Sequence, residues 1–165
     1  MTSGEAHRSG AAVEIAGTSD RAALLALLAA QFEELEIPLD ADRLAAAVDG
    51  VLGGPERGSF LIGRLNGQPV AVAYVSFQWS LEHGGRSAWL EELYVVPALR
   101  DRGVGRHLLL AACDHAAGRG CAAMDLEVEE DHARAARLYG REGFRPHRRQ
   151  RWVRPLTPRS APWEP

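Results

Sequence analysis

The stretch 89–106, WLEELYVVPALRDRGVGR, constrains the fold more than any other part of the chain. Its first half carries Leu90, Leu93, Tyr94, Val95 and Val96, the apolar and β-favouring residues of a buried strand. Pro97 cannot donate to a ladder and ends that strand. After Gly105 the period changes, and Leu108, Leu109, Ala111, Ala112, His115 and Ala116 fall on one helical stripe. A strand, a tight loop and a helix N-terminus therefore follow one another without a spacer.

The loop has the chemistry of an anion site. A helix N-terminus presents unpaired N–H groups and about half a positive charge. Gly103 and Gly105 put no side chain between that backbone and a bulky anion, and Arg100, Arg102 and Arg106 add positive charge. Phosphate or pyrophosphate is the natural guest. The alternative is a strand–helix corner whose glycines only make the turn.

Two other phosphate loops fit less well. The P-loop requires a lysine, and all 19 basic residues of this chain are arginines. The dinucleotide fingerprint requires a third glycine where Leu108 stands, and βαβ units after it. Asp125 sits at the right distance for a ribose-binding acid, but the loop lies far past mid-chain.

Composition bounds the class. At 165 residues the chain is one domain with room for a core, and 46% hydrophobic with 25% charged residues is ordinary for a soluble globular protein. A net charge of −3 implies no bulk attraction to nucleic acid or membrane. No apolar run approaches the ~20 residues of a membrane span, and residues 1–11 lack the pattern of a signal peptide. Cys113 and Cys121 make no disulfide framework, which points to reduced thiols and a cytoplasmic protein.

Read in order, residues 1–11 are small and polar and are expected to be disordered. A first strand is expected over 12–16, then a helix from Asp20 capped by Thr18 or Ser19, with Leu24, Leu27, Leu28, Phe32 and Leu35 on its apolar face. Pro38 breaks it, and Asp40 caps a second helix with Leu44, Val48 and Leu52 inward. Strands over 59–65 and 69–79 flank Asn66-Gly67, a strong hairpin turn, and a third antiparallel strand follows over 88–96. The helix from Gly103 ends near Gly118, a strand is expected over 122–128, and Asp131 caps a helix that Gly143 terminates. A last strand is expected over 144–153, interrupted by Pro146, with a proline-rich tail over 155–165. The globular unit is thus 12–154.

Arg100-x-x-Gly103-x-Gly105, preceded by Leu-Tyr-Val-x-Pro, resembles the pyrophosphate loop of the GCN5-related N-acetyltransferases. A second block, Ala135, Leu138, Tyr139, Gly143 and Phe144, is similar to the family's Ala-x-x-Leu-Tyr-x-x-x-Gly-Phe. The two blocks have the family's order and spacing, and the expected order β-α-α-β-β-β-α-β-α-β is that of its mixed α/β fold. The resemblance implies splayed parallel strands, with the pantetheine arm of acetyl-CoA between them against Leu93, Tyr94 and Val95, and the pyrophosphate on the backbone of 100–106. It implies Asp101 and Val104 within that loop. The family often has asparagine where His132 stands, and glycine is common where Asp101 stands; imidazole can still donate or accept in the asparagine's place.

Acyl transfer from a thioester to an amine needs a base for the amine, a donor for the oxyanion and a proton for the thiolate. Glu91 and Glu92 are the candidate bases, directed to opposite sheet faces by side-chain alternation. Burial in an apolar strand would raise a glutamate toward base-competent values. Glu91 occupies the position of a glutamate proposed as base in polyamine acetyltransferases of this family, and it is placed ahead of Glu92 and of a water relay. The alternative for either is an ion pair with a nearby arginine. Tyr139 lies where the family has the tyrosine facing the CoA sulfur; its alternative is a core-filling role beside Leu138.

The histidines have no ligand spacing, so no metal site is expected. Arg148, Arg149, Arg151 and Arg154 beside Trp152 read as a solvated or salt-bridged edge rather than a nucleic-acid surface. Glu33, Glu34, Glu36, Asp40 and Glu82 with Phe32 and Trp79 would suit a cationic amine, or form a solvated acidic helix end. The reading is an N-acetyltransferase that moves acetyl from acetyl-CoA to a primary amine by direct attack, with a homodimer compatible with it. A CoA-binding sensor module is the alternative.

Overall fold

Asn66 and Gly67 hold φ values of 50° and 77°, the left-handed pair of a two-residue hairpin turn. They fold β2 (Gly58–Leu65) directly onto β3 (Gln68–Ser80). Gly84, at φ 73°, returns β3 into β4 (Gly85–Val95). In this computed structural model, which describes residues 10–129 and 132–156, β1 (Ala12–Ile15) adds to the far side of β2. α3 (Val104–Gly118) carries the chain across to β5 (Met124–Leu126), which lies parallel to β4. The sheet order is β1-β2-β3-β4-β5, antiparallel except for its last pair.

Alternation along β3 divides the core in two. Ala71, Ala73 and Val75 face α3, where Leu108, Leu109 and Ala112 are buried. Val72, with Phe60, Ile62 and Tyr94, faces α1 (Arg21–Glu34) and α2 (Ala41–Leu52), which contribute Leu24, Leu27, Leu28 and Val48. Asp40 caps α2 as its position suggests, accepting the Arg43 N–H at 3.1 Å. The entry to α1 differs from expectation. A short 3-10 turn, Thr18–Asp20, precedes the helix, and the Asp20 carboxylate accepts the Gly17 N–H at 2.9 Å.

The C-terminal third departs further. The strand expected over 122–128 shrinks to the three residues of β5, and the strand expected over 144–153 does not form. Residues 144–156 have no regular structure and are almost wholly exposed. Pro146 withholds a ladder donor, and Arg148, Arg149 and Arg151 would put charge on both faces of a strand. The segment is held by ion pairs instead, Arg149 to Glu82 and Arg151 to Glu127. Two of the four arginines are thus salt-bridged, to a turn and a loop rather than to the acidic helices. Among the described residues the element order therefore ends in a helix, α4 (Ala133–Arg141), which starts after His132; the expected cap Asp131 lies outside those residues.

Candidate active site

The site begins where the β4–β5 ladder stops. Ala88, Trp89 and Leu90 pair with Met124, Asp125 and Leu126, and no pairing continues beyond them among the described residues. From Glu91 onward β4 has β3 on one side and no strand on the other among those residues. Leu93, Tyr94 and Val95 thus sit on the open flank of a splayed pair, although the Val95 carbonyl already accepts the Arg100 Nε–H at 2.9 Å.

A β-bulge lies at the same point. Tyr74 pairs with Glu92 and Val75 with Leu90, so Glu91 is the extra residue. The bulge overturns the expectation that Glu91 and Glu92 point to opposite faces. Glu91 accepts a hydrogen bond from the Ser76 hydroxyl at 2.7 Å, and Glu92 accepts one from Gln31 Nε2 of α1 at 2.7 Å. Both carboxyls therefore lie on the α1 side of the sheet. Their environments differ. Glu91 is exposed, whereas burial pushes the Glu92 carboxyl up to about 7, with the neighbouring Glu91 adding to the rise and Gln31 opposing it. Glu91 also helps hold the Tyr74 phenol high, after the larger effect of burial.

Tyr139 is set by the end of α4. The Phe144 N–H reaches back to the Tyr139 carbonyl at 3.0 Å, and the Gly143 N–H to the Gly140 carbonyl at 3.3 Å. With Gly143 at φ 91°, these are the paired bonds of a Schellman cap. The apolar contact that accompanies such a cap is Phe144 on Tyr139, edge to face at 5.8 Å between centroids. The Gly-Phe that follows the tyrosine by four and five residues thus fixes the tyrosine ring. Burial raises the phenol's pKa, and the nearby Glu92 carboxylate raises it further.

The loop after β4 carries two left-handed residues, Asp101 at φ 61° and Gly103 at φ 81°. Aspartate tolerates this region better than most side chains, which explains how it replaces glycine there. Gly103 is the N-cap of α3, and the first intrahelical bond is His107 N–H to the Gly103 carbonyl at 3.0 Å. Helix geometry leaves the amides of Val104, Gly105 and Arg106 open. A Cβ built on Gly105 would meet only Val95 Cγ2, at 3.6 Å, an ordinary contact. Packing within the chain does not demand glycine at 105, so the bare backbone there fits close approach of a ligand.

The arginines divide. Arg100 makes a bidentate pair with Glu34 of α1, at 2.7 and 2.6 Å, and stacks over Tyr94. Arg106 pairs with Glu142 at the end of α4, at 2.6 and 3.2 Å. Arg102 is exposed and has no ion-pair partner among the described residues. Arg134 of α4 reaches Asp101 at 3.0 Å. Two of the three expected loop cations therefore brace the loop against α1 and α4. His132 stands at the N-cap of α4 with Glu129 3.4 Å from its Nδ1. Of the expected acidic acceptor residues, Glu34 is engaged by Arg100, Glu82 by Arg149, and Asp40 caps α2. Asp125 pairs with His83 at 2.8 Å. Cys113 is half-buried beside Met124, and burial holds its thiol high, which suits packing rather than nucleophilic attack.

Gln31 is the residue that sequence reading passed over. It continues the buried stripe Leu24, Leu27, Leu28 at the next helical position. A polar residue in that register, among leucines, is the signal that could have found it.

Comparison with known proteins agrees with this geometry. The family model described as Acetyltransferase (GNAT) family matches residues 21–144. Mycothiol acetyltransferase of Streptosporangium roseum is 40% identical over 76 residues, which cover 42% of this chain and 23% of the relative. An uncharacterized N-acetyltransferase of Bacillus subtilis, YhfO, is 32% identical over 84 residues, covering 51% of this chain and 56% of the relative. The chain thus spans only about a quarter to just over half of these curated relatives' length. Among solved structures, a putative acetyltransferase from an Arthrobacter species superimposes with a TM-score of 0.76 at 28% identity, covering 88% of this chain and 96% of that one. An aminoglycoside N-acetyltransferase in complex with CoA has the same fold, with a TM-score of 0.76 at 18% identity over 89% of this chain and 95% of that one. With the loop, the splayed strands and the capped tyrosine in one place, and with three quarters of its length matched, the chain belongs to the acetyltransferase (GNAT) family.

Proposed function

We propose that this chain moves an acetyl group from acetyl-CoA to a primary amine by direct attack of the amine. The donor supplies an activated thioester, so no protein nucleophile is needed. The open flank of Leu93 and Tyr94 receives the pantetheine arm, and the amides of Gly103, Val104 and Gly105, with Arg102, hold the pyrophosphate. His132 contributes its second ring nitrogen to the same arm. Glu92 takes the proton from the incoming ammonium; Tyr139, whose phenol keeps its proton at neutral pH, gives it to the departing thiolate and is restored by the second proton that the nitrogen sheds as the amide forms.

The observation that carries this reading is the half-buried Glu92 carboxyl, held by Gln31 and raised by burial to about 7, near the partly buried Tyr139, at the point where two parallel strands part. It favours Glu92 over Glu91 as base, since a group titrating near the working pH is ionised often enough to accept and basic enough to do so. Glu91, exposed on the bulge beside Tyr74, serves to attract the cationic amine. Nucleic acid is not a partner in this reading, because Arg149 and Arg151 are engaged by Glu82 and Glu127. The work is cytoplasmic, where the donor is held, and self-association would cover Trp79, Leu81 and Trp152, exposed by 83%, 100% and 87%.

The test is thiol release with an amine panel and several acyl-CoA donors. Release with at least one small cationic amine, fastest with acetyl-CoA, is expected. Tight acetyl-CoA binding with no release across the panel would replace the enzyme with a sensor.

A further inference from the structure

Most buried side chains here are apolar, and Gln31 is one of two polar ones among the described residues. It lies in the last turn of α1, 7% exposed, and its amide oxygen is buried without a partner among those residues. An amide in that position costs desolvation that a methionine of similar size would not. Packing therefore gives no reason for it. Its one contact of consequence is the 2.7 Å hydrogen bond from Nε2 to Glu92 Oε2.

We propose that Gln31 is the positioning residue for Glu92: its amide donates to one carboxyl oxygen so that the other faces the open flank of β4. This rests on the reading of Glu92 as the base. Glu92 follows a bulge, and no other hydrogen bond fixes its side chain among the described residues. A neutral amide suits this role in a way that a charged residue does not. An arginine in its place would pair with the carboxylate and hold it too acidic to act as a base. A second carboxyl would keep Glu92 protonated. The amide donates through Nε2 to the carboxylate and so favours its ionised form without adding a charge. The charged and titratable groups that face Glu92 are Glu91 on its own strand, Tyr139 of α4, and Arg151 of the C-terminal segment, and Tyr74 lies opposite it on β3. Gln31 differs from all of these in being neutral at every pH.

The test uses Gln31→Met, which keeps the volume and the helical stripe but removes the donor. Loss of a hydrogen bond to the carboxylate should move the acid limb of the kcat/KM profile up by about one pH unit, roughly a tenfold loss on the acid side that recovers at alkaline pH. KM for acetyl-CoA should not change. Gln31→Asn keeps the amide but falls short of Glu92, and should behave as the methionine variant does. An unmoved acid limb in both folded variants overturns the proposal. Glu92→Gln and an NMR titration of the Glu92 carboxyl carbon separate this from the base assignment. If Glu92→Gln abolishes the acid limb while Gln31→Met leaves it in place, only the positioning role fails. If Glu92→Gln leaves the limb intact, the base assignment fails, and the carboxyl titration in Gln31→Met then decides whether the amide holds the group at all: a midpoint equal to that of the native protein overturns it.

Discussion

The two halves of β4 share a strand and differ in nearly everything else. Ala88, Trp89 and Leu90 are zipped to β5 on one side and β3 on the other. Glu91 to Val95 keep β3 but lose β5, and they begin with a bulge. In the zipped half the backbone is saturated, and Ala88 and Leu90 are buried in the α3-side core. In the open half a carboxyl sits partly buried beside an amide and a tyrosine, raised to about 7. The difference teaches where a sheet can hold chemistry. A saturated ladder has no backbone to offer a ligand and no room for an unpaired charge, whereas a strand losing its neighbour offers both. The bulge supplies the rest, because one extra residue brings two carboxyls to the same face.

The comparison breaks most completely at the loop that ends the open half. Gly105→Asp should abolish acetyl-CoA binding in calorimetry while the protein stays folded. A Cβ at 105 has an ordinary 3.6 Å contact with Val95, and Gly105 lies in the first turn of α3, where the helix dipole favours an acidic residue. Gly103→Asp should lose binding too, with an added fold cost of about 1–2 kcal/mol, because Gly103 sits at φ 81°. Unchanged affinity in a folded Gly105→Asp protein would leave the open half without its anion anchor.

Glu92→Gln should lower kcat/KM by roughly 10²–10⁴, the range of a lost general base, and Tyr139→Phe should lower kcat by a similar factor. Glu91→Gln should cost far less and act mainly on KM for the amine. The reverse ranking of the two glutamates would return the base to the exposed position. Stability gives an independent check. The folded carboxyl of Glu92 sits at about 7, above its ordinary 4.5, so the folded state binds more protons than the unfolded chain between those values. Stability should therefore fall as pH rises through that window. Glu92→Gln removes this cost and should stabilise the protein above pH 7, on the order of 2 kcal/mol, in chemical denaturation. A catalytic knockout that gains stability would mark the open half as built against its own fold.

Most of this architecture was legible in local chemistry. Asn66-Gly67 fixed one hairpin, Asp40 a helix start, Gly143 a helix end, and the period change after Gly105 the loop. What was not legible depended on pairing between distant segments. Nothing local in Glu91-Glu92 tells a reader that Val75 will face Leu90, so the alternation rule put the two carboxyls on opposite faces. The arginines of the loop looked alike in sequence, yet Glu34 and Glu142, 66 and 36 residues away, claim two of them. The segment after Phe144 is expected as a strand, but Pro146 and arginines on both faces oppose a ladder, and Arg149 and Arg151 pair with Glu82 and Glu127 instead.

The smallest expected effect concerns Arg100, and it sharpens the boundary between binding and bracing. Its guanidinium is spread over the Val95 carbonyl, Glu34 and the Tyr94 ring, and none of these is a ligand. Arg100→Met should therefore cost stability rather than acetyl-CoA affinity. The pair is partly exposed, with side-chain accessibilities of 26% and 43%, so the loss should be about 0.5–1 kcal/mol in denaturant unfolding. The sign with pH follows from Glu34, whose hydrogen bond to Arg100 holds its carboxyl below the ordinary 4.5. A lowered acid contributes stability above its unfolded value and loses it as pH falls through the folded one. The gap between native and Arg100→Met proteins should accordingly be full at neutral pH, close under acid conditions, and narrow in high salt. A variant that keeps its stability but binds acetyl-CoA tenfold more weakly would move Arg100 from the brace to the anion site, and the open half of β4 would then end in two ligand-facing cations instead of Arg102 alone.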